Sequence, residues 1–571
     1  MSSRSRRSFK KESSPNLLDN TDSSSWDGVP STPRSGLAEK YSLSPDPALW
    51  GSNLSPNLPE PDDALHEPEM KGGKFVDHNT MSITSRGIAN LGCLAFLCLA
   101  ILALFIGYPV ITFVKKTFIR TDETNVSVNA TGQIPAIGNF GLIDLDTPSD
   151  AYTITSLYSG KEMKLVFSDE FNVDGRTFYP GDDPYWEAVD LHYWATNNME
   201  WYDPAAVTTA NGSLQITLSA KQTHGLDYQG GLVTSWNKFC FTGGLLVAAA
   251  TLPGTNNIHG LWPAFWSMGN LGRAGYGASL DGTWYTYDSC DVGTAPNQTL
   301  NGLPAIATTS GDTNEPYNGE LSYLAGQRLS RCTCQGESHP GPVHEDGTYV
   351  GRSAPEIDVF EAQIGDTGGA VSQSGQWAPF NAAYVWFNTS ENLIIPNLTM
   401  SQLNSYIGGA EQQATSVVTL TNQQCYELLD NCFSVYGFEY QPGFDTSYIS
   451  WISDDTLAWT IKAAGLAADP QTEIAARPVP QEPMYILANL GMSTNFGEVD
   501  LAHLTFPTTL KLDYVRVYQY PDSINIGCDP EDFPTSAYIN TYIEAYTNPN
   551  LTTWVDDYHQ TIPKNSFLGQ C

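Results

Sequence analysis

The residues best suited to chemistry in this 571-residue chain are three carboxylates in one short segment, Glu356-Ile357-Asp358-Val359-Phe360-Glu361. The interleaved apolar residues predict a β-strand, on which Glu356 and Asp358 share a face because side chains alternate. Glu361 would point to the other face unless a β-bulge adds one residue, and bulges are common beside active sites. With the bulge, the three acids line one face of a groove. The apolar residues disfavour the alternative, a solvated acidic strand edge.

This spacing predicts the two-carboxylate chemistry of a retaining glycosidase. Over four effective steps at about 3.3 Å per residue, Glu356 and Glu361 lie about 13 Å apart along the backbone. Their side chains can lean inward to the separation of about 5 Å that a nucleophile and an acid/base need. One carboxylate must be ionised and the other must hold a proton at the working pH, so its pKa must be raised.

Short alternating segments separated by Gly, Pro, Asn and Asp predict the fold that positions these acids. They run from Lys161 to Tyr520 and include Ser213–Leu218, Gly244–Ala249 and Leu512–Tyr518. Such a pattern, without long amphipathic helices, indicates an all-β antiparallel β-sandwich. One helix is expected at Thr399–Ile407.

The chain is expected to have five regions. They are a disordered, Ser- and Pro-rich tail (1–86), a transmembrane signal anchor (87–114), a stalk (115–160), the β-sandwich domain (161–520) and a C-terminal extension (521–571). Within the β-sandwich domain, the Gly-rich stretch 269–351 carries three cysteines and is interpreted as a disulfide-containing insertion.

An uncharged apolar run predicts the membrane segment. Ile88 to Val114 contains no charged residue and, at 1.5 Å per residue, spans about 30 Å of hydrocarbon. A cleaved signal peptide is excluded because some 87 residues precede the run. A buried core helix is the alternative, and the lack of any polar face disfavours it.

Glycosylation sequons and cysteines predict the orientation of that anchor. One sequon, Asn53, precedes the run, and the candidate acceptors that follow it are Asn125, Asn129, Asn211, Asn297, Asn388, Asn397 and Asn550. The eight cysteines after the run form an even set that suits disulfides in an oxidising compartment, although their pairing cannot be deduced. We therefore expect a type II protein of the secretory pathway (ER and Golgi) and plasma membrane. Its C-terminal bulk is expected to be luminal or extracellular.

The amino-acid composition restricts the classes of molecule that this chain is expected to bind. The net charge of −35 argues against a nucleic-acid partner. The 14 Trp residues suit either a β-sheet core or platforms on which sugar rings stack. No cofactor and no metal site are expected.

Several sequence blocks resemble known families. Gly260–Trp266, the segment of three acids and Asp513–Gln519 together resemble glycoside hydrolase family 16, a β-jelly-roll family of β-glucanases and transglycosylases. Four further blocks resemble the fungal β-glucan-synthesis-associated proteins of the cell wall, which are type II membrane proteins linked to β-1,6-glucan. These blocks are Phe167–Phe178, Asp190–Asn198, Ser235–Gly244 and Gly269–Tyr276.

The resemblance implies that Trp262 and Trp266 flank the cleft and bind substrate, and Trp377, which follows the strand of acids, is expected to line the groove as a third substrate-binding residue. It also implies a role for each acid. Glu356 would be the nucleophile, Glu361 the acid/base, and Asp358 would orient the nucleophile. The chain departs from the family-16 laminarinases, which usually carry a His on the next strand, because Ala370–Asn381 has none. A specific linkage is therefore not implied.

Three functions remain compatible with the sequence, the third and weakest being an ordinary secreted-type endoglucanase held by the anchor. The first is a retaining β-glucan glycosidase or transglycosylase, acting on a β-glucan or gluco-oligosaccharide in β-1,6-glucan biosynthesis. The second is a non-catalytic glucan-binding assembly factor of the secretory pathway, with other secretory-pathway or cell-wall assembly proteins as partners. Fold alone does not decide between them, and the intact acids favour the enzyme.

Overall fold

The computed structural model describes residues 141–571 apart from 285, 310–317, 321, 378–385 and 410, together with 70–71, 74–75, 89 and 91–95. The chain divides into residues 1–114 and 115–571. None of the helices in these described ranges is long and apolar enough to cross a bilayer. The predicted tail and most of the predicted anchor and stalk lie outside the described residues, so those predictions stand untested.

Short β-strands dominate the described part of the chain. In order they are β1 Met70–Lys71, β2 Lys74–Phe75, β3 Thr153–Thr155, β4 Glu162–Asp169, β5 Glu187–Ala188, β6 Leu191–His192, β7 Glu200–Tyr202, β8 Val207–Ala210, β9 Ser213–Leu218, β10 Tyr228–Thr234, β11 Gly244–Thr251, β12 Trp262–Gly269, β13 Glu356–Gly365, β14 Gly368–Trp377, β15 Leu393–Ile394, β16 Ser401–Leu403, β17 Gln413–Leu420, β18 Ser434–Gln441, β19 Tyr448–Ser453, β20 Thr456–Lys462, β21 Met484–Gly491 and β22 Thr508–Gln519.

Two ten-stranded sheets confirm the predicted all-β fold. The front sheet has the order β16-β17-β14-β13-β12-β21-β10-β7-β6, with β5 paired to β10. The back sheet has the order β15-β20-β19-β18-β11-β22-β4-β3, with β9 paired to β22 and β8 to β9. Neighbouring strands are antiparallel except β7 and β10. Residues 153–155, expected in the stalk, instead form the edge strand β3 of the back sheet.

The main hydrophobic core lies between the sheets. Every second residue of a strand points into it, as Ile357, Val359 and Val371 do from the front sheet and Leu246 and Val517 from the back sheet. The other residues of the front sheet therefore face away from the core, and this outer face carries the acids.

The insertion and the C-terminal extension fold together. Their helices are α1 Gly277–Leu280, α2 Ser536–Thr541 and α3 Ile543–Thr547, and a separate apolar cluster joins them, including Leu271, Ala278, Ile539 and Trp554. All eight cysteines after the apolar run are paired, which confirms that prediction, as Cys240–Cys528, Cys290–Cys332, Cys334–Cys571 and Cys425–Cys432. Cys571 thus fastens the end of the chain to the insertion.

The helix predicted at Thr399–Ile407 is wrong. Ser401–Leu403 forms strand β16, which pairs with β17 at the edge of the front sheet. Asn397 instead accepts the backbone N–H of Thr399 at 3.0 Å in a local turn. Pairing with a long neighbouring strand outweighs a weak local helix preference.

Candidate active site

The register of strand β13 brings the three acids to one face. On β14, Glu356 pairs with Gln376, Asp358 with Ser374 and Glu361 with Ser372, and the register shifts between Asp358 and Glu361. The partners lie two residues apart on β14 and so share a face, and the acids share it with them. The predicted bulge is therefore present, and it turns Glu361 to the side of Glu356.

Hydrogen bonds from side chains on the core side of the sheet hold the backbone at the bulge. A bulge leaves carbonyls without partners in the ladder, and buried carbonyls need hydrogen bonds. Trp451 of the back sheet donates from Nε1 to the carbonyl of Asp358 at 2.7 Å, and Gln373 donates from Nε2 to the carbonyl of Val359 at 3.1 Å. The core of the sandwich thus fixes the kink that aims the acids.

Asp358 is the most deeply buried of the three acids, with 2% of its surface exposed. Its Oδ2 accepts hydrogen bonds from Ser374 Oγ at 2.7 Å and Gln376 Nε2 at 2.9 Å. Burial raises its pKa to about 6, although these two bonds and one shared with Glu356 act to lower it. Asp358 therefore lies between the glutamates, where it can hold Glu356 in position.

Glu361 has the properties of a proton donor. Its pKa is raised to about 8, first by burial and then by the charge of Asp358, while a hydrogen bond from Trp262 acts to lower it. That bond joins Trp262 Nε1 to Glu361 Oε1 at 3.0 Å. The ring of Trp262 is half-buried and stacks on Phe496 at 4.3 Å between centroids. Trp262 and Phe496 together form an aromatic wall beside Glu361.

Glu356 stands at the other end of the row. It is half-buried, and its charge raises the pKa of the Tyr193 phenol and of the Tyr485 phenol, after the effect of their own burial. Tyr485 projects from β21 beside Met268, which pairs with Glu356 on β12. Aromatic side chains therefore flank both ends of the row of acids.

Trp266 lies on the same face, opposite Asp358. Only 7% of its surface is exposed, and its Nε1 donates to Asn489 Oδ1 at 2.8 Å. Asn489 in turn donates to Tyr202 Oη at 3.1 Å. Trp266 thus forms the floor of the site, with little of its ring exposed.

Trp377 is placed elsewhere, which corrects our expectation that it lines the groove. Gln376 lies on the polar face of β14, so the side chain of the adjacent Trp377 points the other way, into the core between the sheets. Trp377 is 5% exposed there. Its Nε1 donates to Thr415 Oγ1 at 2.9 Å. Alternation along a strand requires this, because adjacent residues face opposite sides of the sheet.

Several site residues escaped the sequence reasoning. Ser372, Ser374 and Gln376 alternate along β14 and present polar side chains to the acids, a signal that period-two reading of this strand would have found.

Glu200 is fully buried beneath Gly491, and burial raises its pKa to about 7. It accepts from Asn198 Nδ2 at 2.6 Å. No sequence pattern indicated this buried acid.

The remaining candidate residues lie outside the cleft. Asn211, Asn388, Asn397 and Asn550 are exposed, as a glycan requires, while Asn297 is half-buried and donates to Glu320 at 2.9 Å. Asn125 and Asn129 lie outside the described residues. Within the described part of the chain, no group of three or more His, Cys, Asp or Glu side chains could hold a metal ion.

Comparison with known proteins places the chain in a family. A sequence model of the β-glucan synthesis-associated proteins SKN1/KRE6/Sbg1 matches residues 53–571. The chain belongs to this family. It is 42% identical to the β-glucan synthesis-associated protein SKN1 of Candida albicans over 527 residues, which covers 90% of this chain and 67% of that protein. It is 41% identical to KRE6 of Saccharomyces cerevisiae, covering 90% of this chain and 69% of the relative.

A solved structure was also matched. A variant of LamA from Zobellia galactanivorans, in complex with laminaritriose and laminaritetraose, matches 62% of this chain and 98% of its own, with 20% identity and a TM-score of 0.33.

Proposed function

We propose that this protein is a retaining β-glucan glycosidase that transfers glucan segments, with Glu356 as nucleophile and Glu361 as acid/base. The observation that carries the proposal is the bulge in β13, which turns Glu361 to the face of Glu356 and Asp358. The raised pKa of Glu361 supports its role as the proton donor. Membership of a family named for β-glucan synthesis supports β-glucan as the substrate.

The proposed reaction has two steps. Ionised Glu356 attacks the anomeric carbon, the glycosidic bond breaks, and Glu361 gives its proton to the departing oxygen. A hydroxyl of a second glucan then gives its proton to Glu361 and attacks the same carbon, which releases Glu356. Water in place of that hydroxyl would give hydrolysis. No nucleotide sugar enters the scheme.

The test uses the purified full chain with defined β-1,3- and β-1,6-linked gluco-oligosaccharides. Products longer than the donor are expected from the wild type, and neither longer nor shorter products from Glu356→Gln. If the wild type and Glu356→Gln bind the sugars equally and neither alters them, the enzyme proposal is wrong.

A non-catalytic assembly factor is the second candidate. The insertion and the C-terminal extension favour it, since they are held together by Cys334–Cys571 and offer surface outside the cleft. Unaltered sugars with intact binding would support this role.

We also propose that residues 87–114 anchor the protein as a single-pass type II membrane protein of the secretory pathway and plasma membrane, with residues 115–571 luminal or extracellular. The uncharged run and the distribution of sequons support this orientation. Protease protection of residues 115–571 in sealed microsomes, together with glycosidase-sensitive mobility, would test it. Cleavage of that part in sealed vesicles would contradict it.

A further inference from the structure

A cavity of 230 Å³ lies where the insertion meets the C-terminal extension. Its wall includes the aromatic residues Tyr193, Trp194, Trp284 and Tyr323. Glycines bring the backbone close on one side: a Cβ at Gly277 would meet the carbonyl of Thr552 at 2.5 Å. None of the residues proposed for catalysis lines this cavity.

The cavity adjoins the row of acids. Tyr193 and Trp284 pack against the apolar cluster that contains Trp266 and Met268. Those two residues are the cross-strand partners of Asp358 and Glu356. A chain bound in the cleft would therefore pass close to the cavity.

Polar groups in the wall suit hydroxyls. Glu411 and Asp281 contribute carboxylates, and Gln327 contributes a carboxamide. Gln327 is 5% exposed, and among the described residues neither its Oε1 nor its Nε2 has a hydrogen-bond partner. A buried amide without partners costs free energy, and its one acceptor and two donors match neighbouring sugar hydroxyls.

We propose that this cavity is a second saccharide site, which holds one glucosyl unit of a β-glucan between its aromatic walls, with hydroxyls bonded to Gln327. The apolar C–H faces of a pyranose pack on aromatic rings, which this wall supplies. The volume lies below the range of about 300–1,000 Å³ that is usual for drug-sized ligands, so it suits one ring and not a chain. The proposal rests on the proposed function only for the identity of the sugar.

Two substitutions test the site by different means. Ala325 is exposed at the cavity wall, so Ala325→Trp fills the space without disturbing the core. Gln327→Met removes the amide and keeps the length of the side chain. Ala537→Trp, on the exposed side of α2, is the matched control because Ala537 is exposed and does not line the cavity.

Binding is measured by calorimetry with β-1,3- and β-1,6-linked gluco-oligosaccharides on the full chain, with Glu356→Gln in every sample so that no turnover occurs. We expect two binding events, of which Ala325→Trp abolishes one and Gln327→Met weakens the same one at least tenfold without lowering the melting temperature. Ala537→Trp should retain both.

Unchanged stoichiometry and affinity in folded Ala325→Trp and Gln327→Met would overturn the second site. So would the absence of all binding. Wild-type turnover, measured in parallel, judges the proposed function separately: an inactive enzyme that keeps both binding events would refute the catalyst and leave the second site.

Discussion

Two groups of buried acids in this molecule differ in what surrounds them. Behind the cleft, Arg176 bonds Asp169 at 2.7 Å and Asp183 at 2.7 Å. In the cleft, no described residue forms a salt bridge with Asp358 or Glu361. Ser374 and Gln376 donate hydrogen bonds to Asp358, and Trp262 donates one to Glu361. In the first group a guanidinium neutralises the carboxylates. In the second group the carboxyls receive hydrogen bonds from neutral donors only.

This difference indicates that the Arg176 group stabilises the fold, whereas the acids of the cleft are suited to catalysis. Burial raises the pKa of Asp183, and Arg176 opposes that rise by favouring the ionised carboxylate, so the Arg176 group can serve to tie β4 to the loop after it. Neutral donors compensate burial only in part, and the pKa values of Asp358 and Glu361 stay raised. A carboxyl with a raised pKa can hold and release a proton near neutral pH, which suits a catalyst.

The largest effect on activity is expected when Glu361 can no longer donate a proton. Glu361→Gln keeps the shape and the bond from Trp262 but cannot transfer a proton, so we expect kcat for glucan transfer to fall about 10²–10⁴-fold. Steady-state kinetics on gluco-oligosaccharides measures this. Glu391→Gln, an exposed acid outside the cleft, should change neither rate nor stability. An equal loss in both variants would contradict the assignment.

The converse test removes the cation of the other group. Arg176→Met leaves Asp169 and Asp183 buried without a positive partner, which should lower the free energy of unfolding by about 3–5 kcal/mol. Urea denaturation measures it. Arg331→Met, which breaks an exposed pair with Asp346, should leave the free energy of unfolding nearly unchanged. Loss of turnover per folded molecule in Arg176→Met would mean that the two groups are coupled.

Sequence reasoning reached the fold and the row of acids because both depend on short-range alternation. Glu356, Asp358 and Glu361 lie in one segment, and their shared face follows from period two and one bulge. Trp377 was misplaced although its strand alternates in the same way, since the polar residues Ser374 and Gln376 put Trp377 on the opposite, core-facing side. Glu200 was missed because the interaction that buries it, beneath Gly491, is long-range. The helix expected at 399–407 failed for the same reason.

A smaller effect is expected from the support of Asp358. Ser374→Ala removes a hydrogen bond to its ionised form, worth about 1.5–3 kcal/mol, and should raise the pKa of Asp358 further. Since Asp358 shares a hydrogen bond with the nucleophile Glu356, its protonation disturbs that bond, and the acidic limb of the pH–rate profile should move to higher pH. Ser372→Ala, on the same face but bonded to Ser416 at 2.9 Å, is the control. A larger shift in the control would contradict the assigned role of Ser374.

The smallest effect concerns the aromatic wall. Trp262→Phe keeps a ring against Phe496 but removes the donor to Glu361, a bond that lowers its pKa. The proton donor should then titrate at higher pH, and the basic limb, expected near pH 8 in the wild type, should move upward. Trp201→Phe, whose Nε1 donates to Asp190 at 2.7 Å, is the control. A downward shift in Trp262→Phe would contradict this account.

The central claim is that Glu356 and Glu361 act from one face as nucleophile and acid/base. The most direct measurement is a proton NMR time course of the first products formed from a β-linked gluco-oligosaccharide, with the wild type and Glu356→Gln side by side. The account predicts that new linkages and new reducing ends appear first in the β configuration, and only with the wild type. Products that appear first in the α configuration, or identical spectra for both proteins, would contradict it.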